Sequence, residues 1–315
     1  VRASNSAGSV WSDAISFTTG AQLQSPAISS ADASNVAGTT ATANGNLLSF
    51  DGSTQPTVTL FYDTEANTNS GRADPYLPLE VSSLALWLDA ADANTFTHSS
   101  NAVSYWADKS GNANHATQST SGDQPTYTSN GMSGDSGLDF DNDKLSIPAI
   151  DMEGKTLFAV IQPDTSQTQQ ILSHSSINVQ LSLSASNQLQ YAAASPLYTN
   201  GTASTGTIAN NQISIVSCTL DNSLGFSING AFQNSGVNKG NSGSSTFNQI
   251  GTRATNDERF NGKMGEMIII DSVSSTDRQN VEGYLAHKWG LSGSLPSSHP
   301  LKSSSLTPVS YTHLR

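Results

Sequence analysis

The stretch from Lys263 to Leu291 constrains the fold most, because it joins the longest strand-like apolar run of the chain to its best amphipathic helix. Nearly every residue from Met264 to Ile270 is apolar, which is typical of a strand that is covered on both faces. The run is too short to cross a membrane. The sequence therefore predicts a buried strand followed by a helix that packs on a sheet.

Polar signals delimit this helix. Ser274 and Asp277 have the Ser-x-x-Asp spacing of a helix N-cap, and Gly290 supplies the stop. One stripe of apolar side chains is predicted to dock on the sheet: Val281, Tyr284, Leu285 and Trp289. The opposite side is predicted to face solvent: Asp277, Arg278, Gln279 and Lys288.

Short strand-like runs separated by Gly, Asn, Ser and Asp turns fill the region that begins at Leu84. Asn229 and Gly230 form an Asn-Gly pair, which is a strong hairpin signal. Many short strands with a single helix at the end predict an all-β fold, namely a two-sheet antiparallel jelly-roll sandwich. Strands are predicted near residues 84–88, 103–106, 115–118, 138–140, 144–147, 156–162, 170–174, 177–183, 188–193, 212–220, 224–229, 246–251 and 263–271.

Seven opening and closing blocks occur in a characteristic order. They are LALWLDAADANT, VSYWADKSGNANHATQ, QPTY and LDFDNDKLSI, and then GEMIIID with STDRQNVEGYLAHKWGL and LPSSHP. This order resembles the laminin G-like domains of bacterial surface proteins, which belong to the concanavalin A-like lectin/glucanase superfamily. The resemblance covers about residues 82 to 302. It implies a sandwich fold and, less specifically, recognition of glycans.

The flanking segments suggest a piece of a longer surface protein. Residues 1–20 resemble the C-terminal hairpin of a fibronectin type III-like domain, and we expect them to be loosely held or to pair with a later strand. Residues 21–81 resemble a partial fibronectin type III-like β segment with a linker. Residues 303–315 resemble a translated adaptor of environmental DNA, and we expect a disordered tail.

The amino-acid composition limits the classes of binding partner. Charged residues make up 12% of the chain, and 25 acidic against 13 basic residues give a net charge of −12. So few Lys and Arg side chains cannot neutralise a row of phosphates, which argues against nucleic acid as a partner. An acidic, hydroxyl-rich surface suits an extracellular protein, although ordinary solubility explains it equally well. Cys218 has no second cysteine to pair with, and we expect a buried, inert thiol.

No catalytic residue is proposed. Retaining glycosidases need two carboxylates about 5 to 5.5 Å apart, and the Glu-x-Asp-x-x-Glu strand of the laminarinase-like members of the superfamily has no counterpart in this sequence. Glu266 is the one acid inside a core-type strand, on a face that it is expected to share with Met264, Ile268 and Ile270. We expect it to be a structural group, bonded to backbone or a tyrosine. The six His residues show no zinc-binding spacing.

Calcium is the one cofactor considered, because laminin G-like and pentraxin-like relatives often hold calcium on the sandwich rim. Asp139, Asp141 and Asp143 stand at alternate positions with Asn142 in the turn, and hard cations prefer such oxygen ligands. Asp and Asn in these positions also make turns by bonding their own backbone, so both interpretations stay open. A second, weaker cluster lies in the DKSGNANH loop: Asp108, Asn112 and Asn114. Asp89 and Asp92 are expected to cap a loop.

Glycan binding is the function that the resemblance favours. Sugars are usually met by an aromatic face together with amide and carboxylate oxygens. The candidate ligand-binding residues lie in loop-like polar stretches: Tyr127, Tyr198 and Phe260. The tryptophans in apolar patterns are expected in the core: Trp87, Trp106 and Trp289.

The sequence thus predicts a non-catalytic recognition module of a secreted or cell-surface bacterial protein. Its expected partner is an extracellular polysaccharide or another surface protein, with no membrane insertion. The alternatives are a glycan-active enzyme of the glucanase superfamily and a purely structural adhesin spacer.

Overall fold

The computed structural model describes residues 83–303, apart from 176–178, 193–201, 222, 239–244 and 254–256, together with the backbones of five strands within residues 2–62. A first compact unit covers Val1–Asp74 and a second covers Pro75–Leu306. The predicted linker before residue 83, the predicted tail from residue 304 onward and Tyr198 lie outside the described residues.

The first unit contains two groups of antiparallel strands. Strand β2 pairs with β1 on one side and with β5 on the other, so the opening hairpin pairs with a later strand, and β3 pairs with β4. The assignment of this unit to fibronectin type III-like modules stays a prediction. The strands are β1 (Arg2–Asn5), β2 (Gly8–Ser16), β3 (Ala27–Ala37), β4 (Thr40–Ser49) and β5 (Thr57–Tyr62).

In the described part of the second unit, antiparallel strands are joined by one α-helix, α1 (Ser275–Lys288), which confirms the predicted all-β fold class. The predicted strand ranges do not include β7, β10, β17 and β20, although the Asn229–Gly230 hairpin signal indicates a partner strand after β19. The strands are β6 (Leu84–Asp89), β7 (Phe96–Ser99), β8 (Ala102–Trp106), β9 (Ala116–Thr117), β10 (Thr126–Met132), β11 (Asp135–Asp141), β12 (Leu145–Asp151), β13 (Lys155–Pro163), β14 (Gln169–Ser173), β15 (Gln180–Leu183), β16 (Leu189–Ala192), β17 (Thr202–Ala203), β18 (Ser214–Leu220), β19 (Ser223–Ile228), β20 (Ala231–Asn238), β21 (Thr246–Ile250) and β22 (Asn261–Ile270).

These strands form one hydrogen-bonded sheet that folds over into two layers. Sheet 1 has the order β20-β19-β18-β13-β22-β6, and β11 continues along β22 beyond β6. Sheet 2 has the order β17-β16-β15-β14-β21-β12-β9-β8-β7. Strand β10 pairs with both β11 and β8 and so joins the layers at one edge. The main core fills the space between the two layers.

Strand β22 is covered on both faces, as its apolar run predicts. Met267 and Ile269 belong to the main core between the sheets, whereas Ile268 and Ile270 belong to a second core under α1. The tryptophans expected in the core are buried: Trp87, Trp106 and Trp289.

Helix α1 begins and ends where the sequence predicts. The Ser274 side chain accepts a hydrogen bond from the backbone N–H of Asp277, and Gly290 follows the helix with φ of 71°. The predicted apolar stripe is buried against sheet 1. Within the part of the chain that is described, no helix combines the length and the apolar character needed to span a bilayer.

Two cations expected on the wet side of α1 are largely buried instead, so this part of the prediction is wrong. Arg278 is 8% exposed, and its Nη1 lies 2.7 Å from the buried carboxylate of Glu282. Lys288 contacts two buried carboxylates beneath the helix. Helical periodicity marks a charged residue as solvent-facing, and it cannot detect acidic partners that neighbouring strands supply.

A β-bulge at Gly265 changes which side chains share a face on β22. Val160 of β13 is opposite Glu266, and the next residue, Ile161, is opposite Met264. Gly265 is therefore the extra residue, and Met264 lies in the main core while Glu266 faces α1. The predicted grouping of Met264 with Glu266 is wrong, because a bulge shifts the alternation by one residue.

We expect Gly265→Ala to destabilise the second unit by about 1–3 kcal/mol. A Cβ at this position would lie 2.6–2.9 Å from three ring atoms of Trp289, which packs on the bulge. The free energy of unfolding from denaturant titration measures the effect. Gly293→Ala is the matched control, because a Cβ there would have no atom within 4 Å. Equal stability of the two variants would contradict the close packing of Trp289.

Candidate functional site

The carboxylate of Glu266 is buried and accepts hydrogen bonds from three aromatic side chains. Oε1 accepts from Trp87 Nε1 and from the Tyr284 hydroxyl, and Oε2 accepts from Trp289 Nε1, each at 2.8 Å. The ammonium of Lys288 lies 2.8 Å from Oε2 as a fourth donor. This agrees with the expectation of a structural carboxylate bonded to a tyrosine, because every partner comes from an element packed around it.

Lys288 joins Glu266 to a second buried carboxylate, Asp89. The two acids are direct cross-strand partners on β22 and β6, which places like charges side by side. Lys288 Nζ lies between them, 2.7 Å from Asp89 Oδ1 and 2.8 Å from Glu266 Oε2. Lys109 Nζ contacts Asp89 Oδ2 at 3.0 Å and Asp92 Oδ2 at 2.9 Å. We call these five residues the buried charge network.

Loop capping accounts for only part of what the two predicted capping residues do. Asp92 accepts the backbone N–H of Asn94 at 3.2 Å, and Asp89 accepts that of Ala91 at 3.1 Å. Asp89 also holds two ammonium groups, which sequence reasoning missed. Only the register between β6 and β22, together with the docking of α1, brings these partners together.

Burial and charge act in opposite directions on this network. Burial by itself would raise the pKa of Asp89, but the ammonium groups of Lys288 and Lys109 lower it below its ordinary value. Burial would lower the pKa of Lys288, and the two carboxylates raise it instead. At Glu266 burial prevails over the attraction of Lys288 and raises the pKa of that carboxyl. Of Asp89 and Glu266, Glu266 is therefore the carboxyl that takes up a proton more readily.

The spacing of the two carboxylates resembles that of a glycosidase pair, but their surroundings differ. Asp89 Oδ1 and Glu266 Oε2 contact the same nitrogen at 2.7 and 2.8 Å, so they are at most 5.5 Å apart. Retaining glycosidases use about 5 to 5.5 Å. Both side chains are nearly inaccessible, at 6% and 0% exposure, and Lys288 lies between them. As it stands, the arrangement leaves no room for a sugar between the acids.

We expect Tyr284→Phe to cost about 1.5–3 kcal/mol of unfolding free energy, because it removes one donor from a buried carboxylate without changing the shape of the ring. Urea titration of the two proteins checks this. Tyr105→Phe is the control, since the Tyr105 hydroxyl makes no hydrogen bond to the described residues, and it should unfold like the wild type. A loss of the same size in both variants would argue against a strong Tyr284–Glu266 bond.

The predicted calcium residues are not gathered around one point. Asp139 is half-buried and lies 3.9 Å from Lys263, and Asp141 is exposed. Asp143 turns back to accept the backbone N–H of Asp141 at 2.9 Å, and Asn142 has the left-handed φ of 60° of a turn residue. Among the described residues, no group of three His, Cys, Asp or Glu side chains could hold a metal ion. Calcium at this turn stays a prediction, and the geometry favours the turn-forming interpretation.

The second predicted cluster is a hydrogen-bonded loop centred on Asp108. Its Oδ1 accepts the backbone N–H groups of Trp87 and Ser110 at 2.9 Å. Its Oδ2 accepts the Asn114 backbone N–H at 2.9 Å and the Ser110 hydroxyl at 2.7 Å. The amides of Asn112 and Asn114 donate to carbonyls of β6. These polar groups are engaged in anchoring the loop to the first strand of sheet 1.

The turn at Asp143 predicts a pH effect. Burial raises the pKa of Asp143 to about 6, so the folded state binds this proton more tightly than the unfolded state. The charged form is disfavoured on folding, and its cost appears as pH rises through the interval between the ordinary aspartate pKa, about 4, and about 6. We therefore expect Asp143→Asn to be more stable than the wild type at about pH 8, with the difference vanishing at about pH 4.

Denaturant midpoints measured across this pH range test the prediction. Asp141→Asn is the control, because Asp141 is exposed in the same turn. A difference between Asp143→Asn and the wild type that does not change with pH would contradict the raised pKa.

The predicted aromatic ligands have different locations. Phe260 is fully buried and packs edge-on against Phe140 at 6.1 Å, so its assignment to a ligand site is wrong. It immediately precedes β22, and its ring enters the main core, which the surrounding polar residues do not reveal. Tyr127 is half-buried at the edge where the layers join, and its ring stacks on exposed His98 at 5.4 Å.

The outer face of sheet 2 carries a lateral row of uncharged polar side chains, which we call the polar row. Direct cross-strand partners point to the same side of a sheet, so the pairings define which residues share this face. At about 4.8 Å per strand, the row spans roughly 24 Å. It consists, in spatial order, of Tyr105, Thr117, Ser146, Gln249, Ser173 and Gln180.

A second, shorter row lies beside it on the same face. A bulge in β14 at Ile171 brings Gln170 and Ser173 to the same side, and Gln170 is followed across the sheet by Ser182 and Gln190. Three side-chain carbonyl oxygens in the two rows are buried without a hydrogen-bond partner among the described residues: those of Gln170, Gln180 and Gln249. An unpaired buried acceptor costs about 1–3 kcal/mol.

A shallow depression of about 310 Å³ lies at the β8 end of the polar row. Its volume is at the lower end of the range for ligand pockets. Hydroxyl and amide side chains line it, and none of them is charged: Ser104, Thr117, Gln118, Ser119 and Ser146.

Part of the two rows is visible in the sequence as an alternation of apolar and polar residues. QLSL and LQYA alternate apolar and polar residues, which predicts strands with one polar face. Placing these polar residues beside one another requires the strand order and the β14 bulge, and neither follows from alternation.

Comparison with known proteins finds likeness in structure alone. No family model and no curated protein matches the sequence. Domain 4 of AbnA, a GH43 extracellular arabinanase from Geobacillus stearothermophilus in complex with arabinotriose, has a TM-score of 0.44 and 15% identity, over 60% of this chain and 92% of that one. Trypanosoma rangeli sialidase in complex with DANA has a TM-score of 0.45 and 14% identity, over 67% and 35%. A GH54 α-L-arabinofuranosidase has a TM-score of 0.49 and 12% identity, over 69% and 62%.

These remote likenesses establish neither a family nor an activity. The chain spans about a third of the length of the sialidase. The fold and the site define the second unit as an antiparallel β-sandwich in which one sheet is covered on both faces and the other carries rows of uncharged polar side chains on its outer face.

Proposed function

We propose that this protein is a non-catalytic recognition module that binds a neutral extracellular polysaccharide along the polar row and its depression. The polar row is the observation that carries the proposal, because its hydrogen-bonding side chains lead across the sheet to a recess at one end. Tyr105, Thr117, Ser146 and Gln249 are exposed or half-buried, whereas Ser173 is buried and its hydroxyl donates to the Thr252 carbonyl. The accessible part from Tyr105 to Gln249 spans roughly 14 Å, which suits a short run of sugar units.

The chemistry of the row matches that of a sugar. A sugar presents hydroxyl groups that donate and accept, and Ser, Thr and Gln side chains do both. The buried carbonyl oxygens of Gln180 and Gln249 lack donors, which sugar hydroxyls would supply once the flexible side chains rotate towards them. Tyr105 offers a partly exposed ring at the same end as the depression, as sugar sites often do.

The state of the cations supports a neutral ligand over an acidic one. Eight of the described Lys and Arg side chains contact a carboxylate within 4.0 Å. Lys302, the ninth, donates to the backbone carbonyls of Gly293 and Leu295. A uronic acid or sulfated glycan would need cations that are not already paired.

We also propose that the second unit is a laminin G-like domain of the concanavalin A-like superfamily, preceded by fibronectin type III-like modules of a secreted or cell-surface protein. The strand order, the helix packed on sheet 1 and the motif order support this assignment. A non-catalytic role is supported by the enclosure of Asp89 and Glu266 beneath α1, with Lys288 between them.

We expect Thr117→Arg to weaken polysaccharide binding at least about tenfold, or about 1.4 kcal/mol. Thr117 is exposed, contributes to both the row and the depression, and would place an unpaired charge where the ligand lies. A glycan array with neutral and acidic polysaccharides, with and without calcium, identifies the ligand. Titration calorimetry then compares the variants. Thr276→Arg makes the same substitution at an exposed position on α1 and should bind like the wild type.

Four results would contradict the proposal. Unchanged binding by Thr117→Arg would show that the ligand binds outside the polar row. A preference for acidic glycans would contradict the inference that the paired Lys and Arg side chains favour a neutral ligand. Binding to a surface protein but to no glycan, or to nothing, would favour the adhesin or spacer alternatives. Shortened oligosaccharides after incubation would indicate the glycan-active enzyme.

A further inference from the structure

The buried charge network brings a nucleophile, an electrophile and a proton carrier into contact. Lys288 Nζ lies 2.7 Å from Asp89 Oδ1, and the carboxyl carbon Cγ of Asp89 is bonded directly to that oxygen. Glu266 Oε2 lies 2.8 Å from the same nitrogen. The three side chains are 15%, 6% and 0% exposed. A lysine and an aspartate held this closely in a nearly water-free site have the geometry of an amide-forming pair.

We propose that Lys288 and Asp89 condense to form an intramolecular isopeptide bond, with Glu266 carrying the protons. This bond would join β6 to the C-terminal end of α1, two elements whose linked residues are 199 positions apart in sequence. The inference is independent of glycan binding, because the network lies under α1 on sheet 1 and the polar row lies on the outer face of sheet 2.

The reaction balances without any other reactant. Glu266 accepts a proton from the Lys288 ammonium and passes it to Asp89, and the resulting amine attacks Cγ of the neutral Asp89 carboxyl. The new Nζ–Cγ bond forms as the bond from Cγ to Oδ1 breaks. Oδ1 leaves as water with two of the three protons of the ammonium, both transferred through Glu266, and the amide nitrogen keeps the third. Glu266 ends in its starting state, and no oxidant or reductant is involved.

Neighbouring groups favour attack on Asp89. The Lys109 ammonium lies 3.0 Å from Oδ2 and would stabilise the negative charge that develops on that oxygen in the tetrahedral intermediate. The Ala91 backbone N–H, 3.1 Å from Oδ1, holds the carboxyl in place. The rings of Trp87, Tyr284 and Trp289 surround Glu266 and exclude bulk water.

The product is better suited to the site than the reactants. An ammonium and a carboxylate lose their hydration when they are buried, and condensation replaces both with a neutral amide. Glu266 then keeps its three aromatic donors, and its raised pKa suits the proton transfers. The burial of the network thus supplies both the proximity for the reaction and part of its driving force.

The intact mass of the purified, folded chain tests the proposal directly. We expect a mass about 18 Da below that of the sequence, which corresponds to the loss of one water. Tryptic mapping should find the peptide containing Asp89 linked to the peptide containing Lys288, with no cleavage after Lys288. A folded wild-type chain with the full sequence mass would overturn the proposal, as would a water loss mapped to another residue.

Two variants locate the chemistry. Lys288→Arg keeps the positive charge but removes the primary amine, and Glu266→Gln removes the proton carrier, so both should show the full sequence mass. Lys302→Arg is the matched control and should keep the water loss, because the Lys302 ammonium lies outside the network and donates to the backbone carbonyls of Gly293 and Leu295. Circular dichroism verifies folding. A water loss that persists in folded Lys288→Arg would refute the assignment.

Discussion

Burial of the Glu266 carboxylate fixes the positions of three elements at once. A carboxylate removed from water loses several kcal/mol of hydration unless donors or cations replace it. Here the replacements come from Trp87 on β6, from Tyr284 and Lys288 on α1, and from Trp289 just after the helix. No single element satisfies the group, so the helix, the first strand and the last strand of the sandwich stabilise one another only when all are docked. This dependence makes the packing of α1 specific rather than merely apolar.

The same packing determines which surface is free to bind a ligand. Because α1 covers one face of sheet 1 and sheet 2 covers the other, sheet 1 has no free face along β13 and β22. The inner face of sheet 2 packs in the main core, and its outer face carries the polar rows, in which Gln170, Ser173 and Ser182 are buried and the other side chains are exposed or half-buried. Each bulge shifts the alternation of its strand by one residue. The bulge at Gly265 therefore turns Glu266 towards α1, and the bulge at Ile171 places Gln170 and Ser173 on the same face of sheet 2.

Features that depend on local chemistry could be predicted from the sequence. The apolar run of β22 predicted coverage on both faces, and Ser274 and Gly290 predicted the ends of α1. The Asn229–Gly230 pair predicted the hairpin between β19 and β20, where both residues have the positive φ that such a turn needs. Each signal lies within a few residues of the structure that it determines, so no knowledge of distant contacts is needed.

Features that depend on remote partners could not be predicted in this way. Lys288 has the pattern of a solvent-facing helix residue, and its burial follows from Asp89, 199 residues earlier in the chain. The polar row depends on five strand pairings, and an error of one residue in any of them would turn that strand's polar side chains towards the core. A residue's polarity therefore indicates that it needs a polar partner, whereas the register decides whether that partner is water, another side chain or a ligand. The candidate site depends on register. For this reason residue type alone placed Phe260 on the surface and did not identify the glutamines of sheet 2.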